Sequence, residues 1–288
     1  MRQHSAQRVW PLLAWGRRFD DALGRWADGS APRVFLHEFL RFGLKQGWAC
    51  LFGGLMLALL LATHLFYPRD AALARYDFLV IAACLIQAAM LAFRMETLEE
   101  AKVILLFHIV GTVMEIFKTS MGSWTYPEPS LLRIGGVPLF SGFMYAAVGS
   151  YIARAWRLFE FRFTAHPPLV GLLLLSTGIY LNFFSHHYLP DMRYALFLVT
   201  AWLLRRSWVH YRIRLTYRKM PLLLGFLLVA LFIFFAENIA TFSSAWLYPN
   251  QIKGWAPVSL GKLGSWLLLM IISYTLVAIV NKPEPMRE

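Results

Sequence analysis

The segment that organises this sequence reads EIFKTSMGSWTYPE at residues 115–128, and a looser copy, ENIATFSSAWLYPN, follows at residues 237–250. In one register, 122 positions apart and without a gap, both copies carry a Glu, a Thr and a Trp-x-Tyr-Pro exit. Five matches among uncommon residue types indicate an internal repeat. Because each copy begins near the end of an apolar run, the repeat predicts two helix ends of similar design.

The composition around this doubled motif indicates an integral membrane protein. Hydrophobic residues make up 58% of the 288 residues and charged residues only 15%, which is too apolar for a soluble chain. The 28 Lys and Arg residues lie between apolar runs, so the net charge of +12 predicts contact with membrane lipids and no nucleic acid. The basic, aromatic segment 205–214 is assigned to the inner leaflet for the same reason. Cys50 and Cys84 lie within apolar runs, so we expect packed thiols without a disulfide.

Apolar runs of membrane-spanning length predict an all-α polytopic fold with about eight transmembrane helices. They are expected at residues 43–66, 77–95, 102–119, 137–159, 167–187, 192–212, 221–242 and 262–281. The sixth run reaches full length only with Arg205 and Arg206, which we expect to extend to the lipid headgroups, an internal cavity being the alternative. Most Lys and Arg residues fall on one side of these spans, which predicts cytoplasmic N- and C-termini.

The offset of the doubled motif also predicts the domain organisation. A second pair of similar helix ends, His64 to Pro68 and His186 to Pro190, lies at the same spacing. We therefore expect two parallel four-helix repeats, at residues 43–160 and 161–281. A basic amphipathic arm at residues 1–42 is expected as an interfacial helix, with a soluble partner-binding arm as the alternative. Residues 282–288 are assigned to a cytoplasmic tail.

The glutamate of each copy is the first candidate for chemistry. Glu115 and Glu237 lie inside their predicted helix ends, where a carboxylate is costly unless it is paired, protonated or in contact with water. Lys118 is one turn beyond Glu115, which predicts a local ion pair. The second copy has Ala240 at that position, so Glu237 needs another partner. The candidates for that partner are Asn238, His186 and His187. The alternative reading is that both glutamates only tie helix ends to neighbouring loops.

Further candidate pocket residues are polar or aromatic and cluster at the outer ends of the predicted helices. They are His64, His108, Trp124, Tyr126, His186, His187, Asp191, Asn238, Trp246 and Tyr248. The Trp and Tyr rings either anchor the exits at the membrane interface or form a stacking platform for a ligand. His108 either extends a polar track or bonds a carbonyl. The histidines and carboxylates include types that bind zinc, but no Glu-x-x-His or His-Glu-x-x-His pair occurs, so no metal and no cofactor are predicted.

Several runs beyond the first copy of the motif contribute to a family resemblance. They are Pro138 to Tyr145, the His187-Tyr188-x-Pro190-Asp191 segment, and Ala236 to Ile239 followed by Trp246-x-Tyr248-Pro249-Asn250-Gln251. With His108 and residues 115–128, these runs resemble the bacterial integral membrane proteins of domain-of-unknown-function family 817. The resemblance implies a multi-pass protein of the bacterial inner membrane and implies no activity.

The sequence leaves three classes of function open. We favour a membrane-embedded enzyme that uses Glu115, Glu237 and Lys118 for acid–base chemistry on a lipid or isoprenoid. A proton- or ion-coupled transporter of small solutes is the alternative, and a membrane scaffold without catalysis is the third. A nucleotide-binding glycine loop does not occur in the sequence, so transport would be driven by an ion gradient.

Overall fold

A computed structural model of the protein describes residues 24–27, 29–68 and 70–286. Its helices are α1 (Ala31–Ala49), α2 (Leu51–Phe66), α3 (Arg75–Ala92), α4 (Leu98–Ser120), α5 (Phe140–Leu158), α6 (Leu169–Ser185), α7 (Arg193–Leu204), α8 (Leu222–Phe242) and α9 (Gly261–Val280). Its strands are β1 (Arg133–Ile134), β2 (Val137–Pro138), β3 (Arg162–Thr164), β4 (Trp208–Arg212) and β5 (Tyr217–Pro221). The fold is mostly helical, so the prediction of an all-α chain holds except for these short strands.

In the part of the chain that the structure describes, four helices are long and apolar enough to cross a membrane, namely α3, α4, α8 and α9. The pair α1 and α2 adds a fifth candidate if it is counted as one bent span. Helices α6 and α7 are apolar but shorter, below the roughly 20 residues that a bilayer core requires. Helix α5 carries Arg154 and Arg157. These features indicate a membrane protein with four to five candidate spans among the described residues, and the eight spans stay a prediction.

The first predicted span, residues 43–66, is broken at Cys50. Helices α1 and α2 meet there at 68°, and α1 already begins at Ala31, after Ser30 and with Pro32 in its first turn, a favoured place for proline. The predicted arm at residues 1–42 therefore overlaps a helix of the main body. Residues 1–23, which carry most of its amphipathic pattern, lie outside the described residues.

The sixth predicted span, residues 192–212, is also shorter than expected. Helix α7 ends at Leu204, and the chain turns into strand β4, which pairs with β3 and β5 in an antiparallel sheet. Arg205 and Arg206 are exposed, and Arg205 donates to the carbonyl of Trp202 at 2.6 Å. The helix ends here and a hairpin of strands β4 and β5 follows, which explains the loss of apolar periodicity after residue 204.

Helices α4 and α5 share the most extensive contact between helices in the described residues, and glycines allow this approach. A Cβ atom on Gly111 would lie 2.7 Å from the ring of Tyr145, and one on Gly142 would lie 2.4 Å from Nδ1 of His108. The pair brings Tyr145 beside the C-terminal end of α4. At the other end of the same pair, the buried carboxylate of Glu96 accepts bonds from Arg154 Nη2 at 2.6 Å and Ser150 Oγ at 2.7 Å.

Candidate functional site

The two copies of the doubled motif end their helices in the same way. At the end of α4 the amide of Met121 donates to the carbonyls of Phe117 and Thr119. Ser243, 122 positions later, makes the equivalent bonds at the end of α8. The next residue is left-handed in both copies, with φ of 68° at Gly122 and 55° at Ser244. This turn reverses the chain over the helix end and brings the Trp-x-Tyr-Pro exit back towards the glutamate.

The two exits pair with each other through their backbones. Thr125 and Leu247 form an antiparallel bridge in which each amide donates to the other's carbonyl at 2.9 Å. These residues occupy the same position in the two copies of the motif. A pairing of equivalent residues is what a local two-fold relation produces. The bridge therefore holds the segments that follow α4 and α8 next to each other.

Glu115 is buried and accepts hydrogen bonds from three neutral side chains. The indole Nε1 of Trp124 and the hydroxyl of Tyr126 both donate to Oε2 at 2.7 Å, and the hydroxyl of Tyr145 donates to Oε1 at 2.6 Å. Burial, and then the charge of Glu115, raise the pKa of Tyr126, so this phenol stays a donor. The carboxylate is thus held without a cation at bonding distance among the described residues.

Glu237 is held in a related way by donors that are only partly equivalent. The hydroxyl of Tyr248 donates to Oε1, and the indole of Trp266 on α9 donates to Oε2 at 2.8 Å. Burial, and then the charge of Glu237, raise the pKa of Tyr248. Tyr126 and Tyr248 are at the same offset from their glutamates, whereas an indole from α9 takes the place of Trp246 in the second copy. The repeated spacing from Glu to Tyr therefore places a tyrosine hydroxyl within hydrogen-bonding distance of the glutamate in each copy.

The predicted partners of the two glutamates differ from the observed ones. Lys118 forms no ion pair with Glu115 in the described residues, because its ammonium group points to two imidazoles, at 3.3 Å from His186 Nε2 and 3.0 Å from His187 Nε2. Asn238 does not contact Glu237 through its amide. It donates to the carbonyl of Phe234 and accepts from the amide of Val258, and so fastens the next loop to α8.

Lys118, His186 and His187 form a cluster of basic side chains in which both histidines follow the end of α6. His187 lies in the loop beyond that end. Partial burial, and then the positive charge of Lys118 and the adjacent His186, lower its pKa. Asp191 lies behind the cluster, where Oδ1 accepts from Asn182 at 3.0 Å and Oδ2 pairs with Arg193 at 2.8 Å. Asp191 thus positions Arg193 at the edge of the cluster.

A cavity of about 260 Å³ lies between the two helix ends. Six acidic or basic side chains line it, namely Glu115, Lys118, His186, Arg193, Glu237 and Lys262. Seven aromatic side chains with polar edges also line it, namely Trp124, Tyr126, Tyr145, Tyr151, Trp246, Tyr248 and Trp266. The ammonium of Lys262 lies 4.1 Å from the ring centre of Tyr248 and 5.3 Å from that of Trp124. Carboxylates and cations from both halves of the chain thus meet in one aromatic-walled site.

Other predicted site residues lie away from this cavity. His64 is exposed, with its ring 5.6 Å from that of Phe242. His108 packs against Phe143 at 4.8 Å, and its Nδ1 atom is buried with no hydrogen-bond partner among the described residues. His187, Asp191 and Asn238 adjoin the lining without forming part of it. His64 and His108 therefore have no place in the chemistry that we derive.

Sequence reasoning missed several residues of the cavity wall. Tyr145, Lys262 and Trp266 lie outside the two motif copies, and Arg193 begins a separate helix. A lysine just inside the start of an apolar helix was the available signal for Lys262. Tyr145 and Trp266 had no such signal, since they follow their glutamates by 30 and 29 positions and depend on helix packing. In the described part of the chain, no group of three or more His, Cys, Asp or Glu side chains is arranged to hold a metal ion.

Comparison with known proteins agrees with the resemblance found in the sequence. Residues 38–274 match the family described as "Protein of unknown function (DUF817)". The chain is 44% identical over 254 residues to "Uncharacterized protein YoaT" of Bacillus subtilis (strain 168), which covers 86% of this chain and 93% of that protein. No solved structure matches the chain. The match includes the whole cavity described above.

Proposed function

Because the chain belongs to the DUF817 family of proteins of unknown function, we propose its activity from the cavity: a membrane-embedded enzyme that carries out acid–base chemistry on a lipid or isoprenoid. The observation that carries this proposal is that Glu115 and Glu237, one from each motif copy, line the same cavity. Both carboxylates accept hydrogen bonds from tyrosine hydroxyls, which hold them in place. Two positioned carboxylates on one cavity are a common arrangement for moving a proton to and from a substrate.

The proposed architecture places this site near the outer face of the bacterial inner membrane. We assign eight membrane helices to two parallel four-helix repeats, with both termini in the cytoplasm. The equivalent turns at Gly122 and Ser244 and the bridge from Thr125 to Leu247 support the repeat, and the basic residues support the orientation. A reporter fused after Glu288 is expected on the cytoplasmic side. Its appearance on the outer side would overturn the orientation.

Cations in the cavity suit the proposed chemistry. Lys118 and Lys262 line the same cavity as the glutamates, where an ammonium group stabilises negative charge that develops on a substrate oxygen or carbon. The Trp and Tyr rings exclude water and leave flat apolar surfaces for an unsaturated or aliphatic chain. In this scheme the glutamates transfer the proton, while the lysines stabilise the charge that its removal leaves.

A proton- or ion-coupled carrier remains the second candidate. The feature that favours it is a second cavity, of about 340 Å³, that shares four wall residues with the first and extends along the bundle. Its other walls are mostly apolar, with Phe159, Phe161 and Phe163 among them. A hydrated solute would lose its hydrogen bonds to water against such an apolar wall. The second cavity therefore suits an apolar substrate better than a hydrated solute. A scaffold role would leave the polar lining without a use.

Comparison of membrane lipids tests the proposal. A strain lacking the protein is complemented with the wild type, Glu115→Gln, Glu237→Gln or the control Glu99→Gln, which changes an exposed carboxylate on the same helix α4. The enzyme predicts that deletion and both cavity variants alter the same lipid or isoprenoid species, while the control restores it. An unchanged profile in all strains would sink the enzyme. Altered solute flux in vesicles with an unchanged profile would favour the carrier.

A further inference from the structure

Two ammonium groups face the cavity without a carboxylate partner among the described residues. Lys118 is only 5% exposed, and its nitrogen contacts imidazoles, which are neutral or cationic. The nitrogen of Lys262 lies over the rings of Tyr248 and Trp124. A buried charge is costly unless an opposite charge is nearby. Neither ammonium group is therefore in direct contact with a carboxylate of the cavity wall, although Glu115 and Glu237 line the same cavity.

The nearby carboxylates do not supply the missing counter-charge by contact. Glu115 is occupied by three neutral donors and Glu237 by two. Neither forms an ion pair with Lys118 or Lys262 in the described part of the chain. Lys262 already covers the aromatic faces of Tyr248 and Trp124, which a cationic ligand would otherwise use. An anionic group is thus the ligand chemistry that the two lysines would bind.

The second cavity adjoins the first through Cys50, Tyr151, Val229 and Phe232, which line both. It continues between α1, α5 and α8, where its walls are mostly apolar. Phe232 is 58% exposed, so the wall common to the two cavities reaches the outer surface of α8. In a bilayer that surface faces the acyl chains, which gives a hydrocarbon chain a lateral route into the second cavity.

We propose that the two cavities bind one amphiphile, with an anionic headgroup on Lys118 and Lys262 and a single hydrocarbon chain in the second cavity. This inference rests on the proposed function, because it names the substrate class of the same site. The headgroup, a phosphate or a carboxylate, lies beside Glu115 and Glu237. The chain passes Val229 and Phe232 and ends among the phenylalanines of the second cavity.

Binding of simple amphiphiles to the full-length protein in a sugar-headgroup detergent tests the headgroup. The probes are decyl phosphate, decanoic acid, decanol and inorganic phosphate, and the signal is the fluorescence of the cavity tryptophans. We expect at least one of the two anionic decyl probes to bind, and Lys118→Gln and Lys262→Gln each to weaken it about tenfold, the effect of losing one charge-assisted hydrogen bond. Decanol should bind more weakly and be insensitive to both substitutions. Lys118→Arg, which keeps the charge, should retain binding.

Two results of the headgroup test would overturn the inference. One is equal binding of decanol and both anionic decyl probes by the wild type. The other is unchanged anionic binding in both glutamine variants, with the folded state verified by monodisperse elution. Binding of inorganic phosphate as strongly as decyl phosphate would also count against it, because the chain would then contribute nothing.

A filled second cavity tests the position of the chain. Gly225 lines this cavity, and a Cβ there meets only Met220 Sδ, at 3.7 Å. The matched control is Gly47→Leu on α1, where a Cβ meets nothing within 4 Å. For wild type and control, affinity is expected to rise about fourfold per added methylene. In Gly225→Leu this rise should end at a shorter chain, with the shortest probes bound as before.

An identical chain-length series in Gly225→Leu and the wild type would remove the second cavity from the inference. The binding experiment tests the ligand class, and the lipid profile tests the enzyme, so either claim can be contradicted without the other. Binding of anionic amphiphiles without any change in lipid profile would contradict the enzyme and preserve the ligand class. A changed profile with no preference for anionic probes would do the reverse.

Discussion

Lys118 connects the glutamate end of α4 to the histidines that follow α6. Its nitrogen lies 3.0 Å from His187 Nε2, and this contact is geometrically sensible only when that imidazole nitrogen accepts from the ammonium. The neutral form of His187 is therefore favoured, in agreement with its lowered pKa. At the residue scale, this contact favours a charged Lys118 and a neutral His187 beside the cavity.

Removal of the charge of Lys118 should raise the lowered pKa of His187. In Lys118→Gln we expect the pKa of His187 to rise towards the ordinary histidine value of about 6.5, because the imidazolium no longer meets a neighbouring ammonium. NMR titration of labelled histidine measures this shift. Lys102→Gln, an exposed change at the other end of the same helix, should leave the titration where it is in the wild type. A fall in the pKa of His187 in the Lys118 variant would contradict the contact.

The residue scale also shows the limit of sequence reasoning. Glu115, Glu237 and their tyrosines were found because the repeat placed them at equal spacing. Lys262 and Trp266 were missed because their approach to the cavity depends on how α9 packs against α8. His64 was included on the strength of a repeated spacing, but its ring faces outward. A conserved offset between copies reports shared backbone geometry and does not report the direction of each side chain.

At the element scale, the helix ends of the doubled motif are the most closely matched features of the two halves. Both turns require a left-handed residue, which costs a residue with a Cβ about 1–2 kcal/mol relative to glycine. Only the first copy uses glycine. Ser244 keeps its position because its carbonyl accepts from Arg75 and Tyr76, both from α3.

Exchange of residue type between the two turns should have opposite effects on stability. Gly122→Ala is expected to lower the free energy of unfolding by about 1–2 kcal/mol, since a Cβ there meets no atom within 4 Å and only backbone strain is added. Ser244→Gly should raise it by about 1 kcal/mol. Denaturation in mixed detergent micelles measures both. Stabilisation by Gly122→Ala would show that the turn is not left-handed.

The buried pair of Glu96 and Arg154 joins α4 to α5 at the end opposite the cavity. Both side chains are fully buried, so loss of one partner leaves the other charge unpaired. Arg154→Met is expected to destabilise the protein by about 3–5 kcal/mol, whereas Lys102→Met, which breaks the exposed pair with Glu99, should cost under about 1 kcal/mol. Equal effects of the two substitutions in the same unfolding assay would refute the buried pair.

Elements were predicted from sequence with uneven success, for physical reasons. The long apolar helices α8 and α9 were found because their hydropathy is continuous. The break at Cys50 was missed because apolar residues lie on both sides of it, and the packing of α1 against α5 cannot be read from the sequence. The hairpin of β4 and β5 was read as the end of a helix, since its tryptophan, tyrosine and arginines also suit a membrane interface.

At the scale of the whole molecule, the bridge between Thr125 and Leu247 holds the two halves at their most similar point. The exchanged backbone bonds imply a Cα separation of about 5.5 Å, which is within the range of a disulfide. With Cys50 and Cys84 replaced by Ala, the pair Thr125→Cys and Leu247→Cys should form an intramolecular disulfide on mild oxidation. Mass spectrometry detects it. Thr125→Cys with Ile252→Cys, in the same loop but outside the bridge, should remain reduced. A disulfide in the pair with Ile252→Cys, and none in the pair with Leu247→Cys, would contradict the bridge.

The central claim is that Glu115 and Glu237 act on one substrate in one cavity, and a double-mutant cycle tests it most directly. The measured quantity is the rate of formation of the lipid species lost on deletion, in Glu115→Gln, Glu237→Gln and the double variant. Groups that act as a unit are strongly non-additive, so we predict that the double variant is no slower than the slower single variant. Rate losses that multiply independently, or two single variants as fast as the wild type, would contradict the claim.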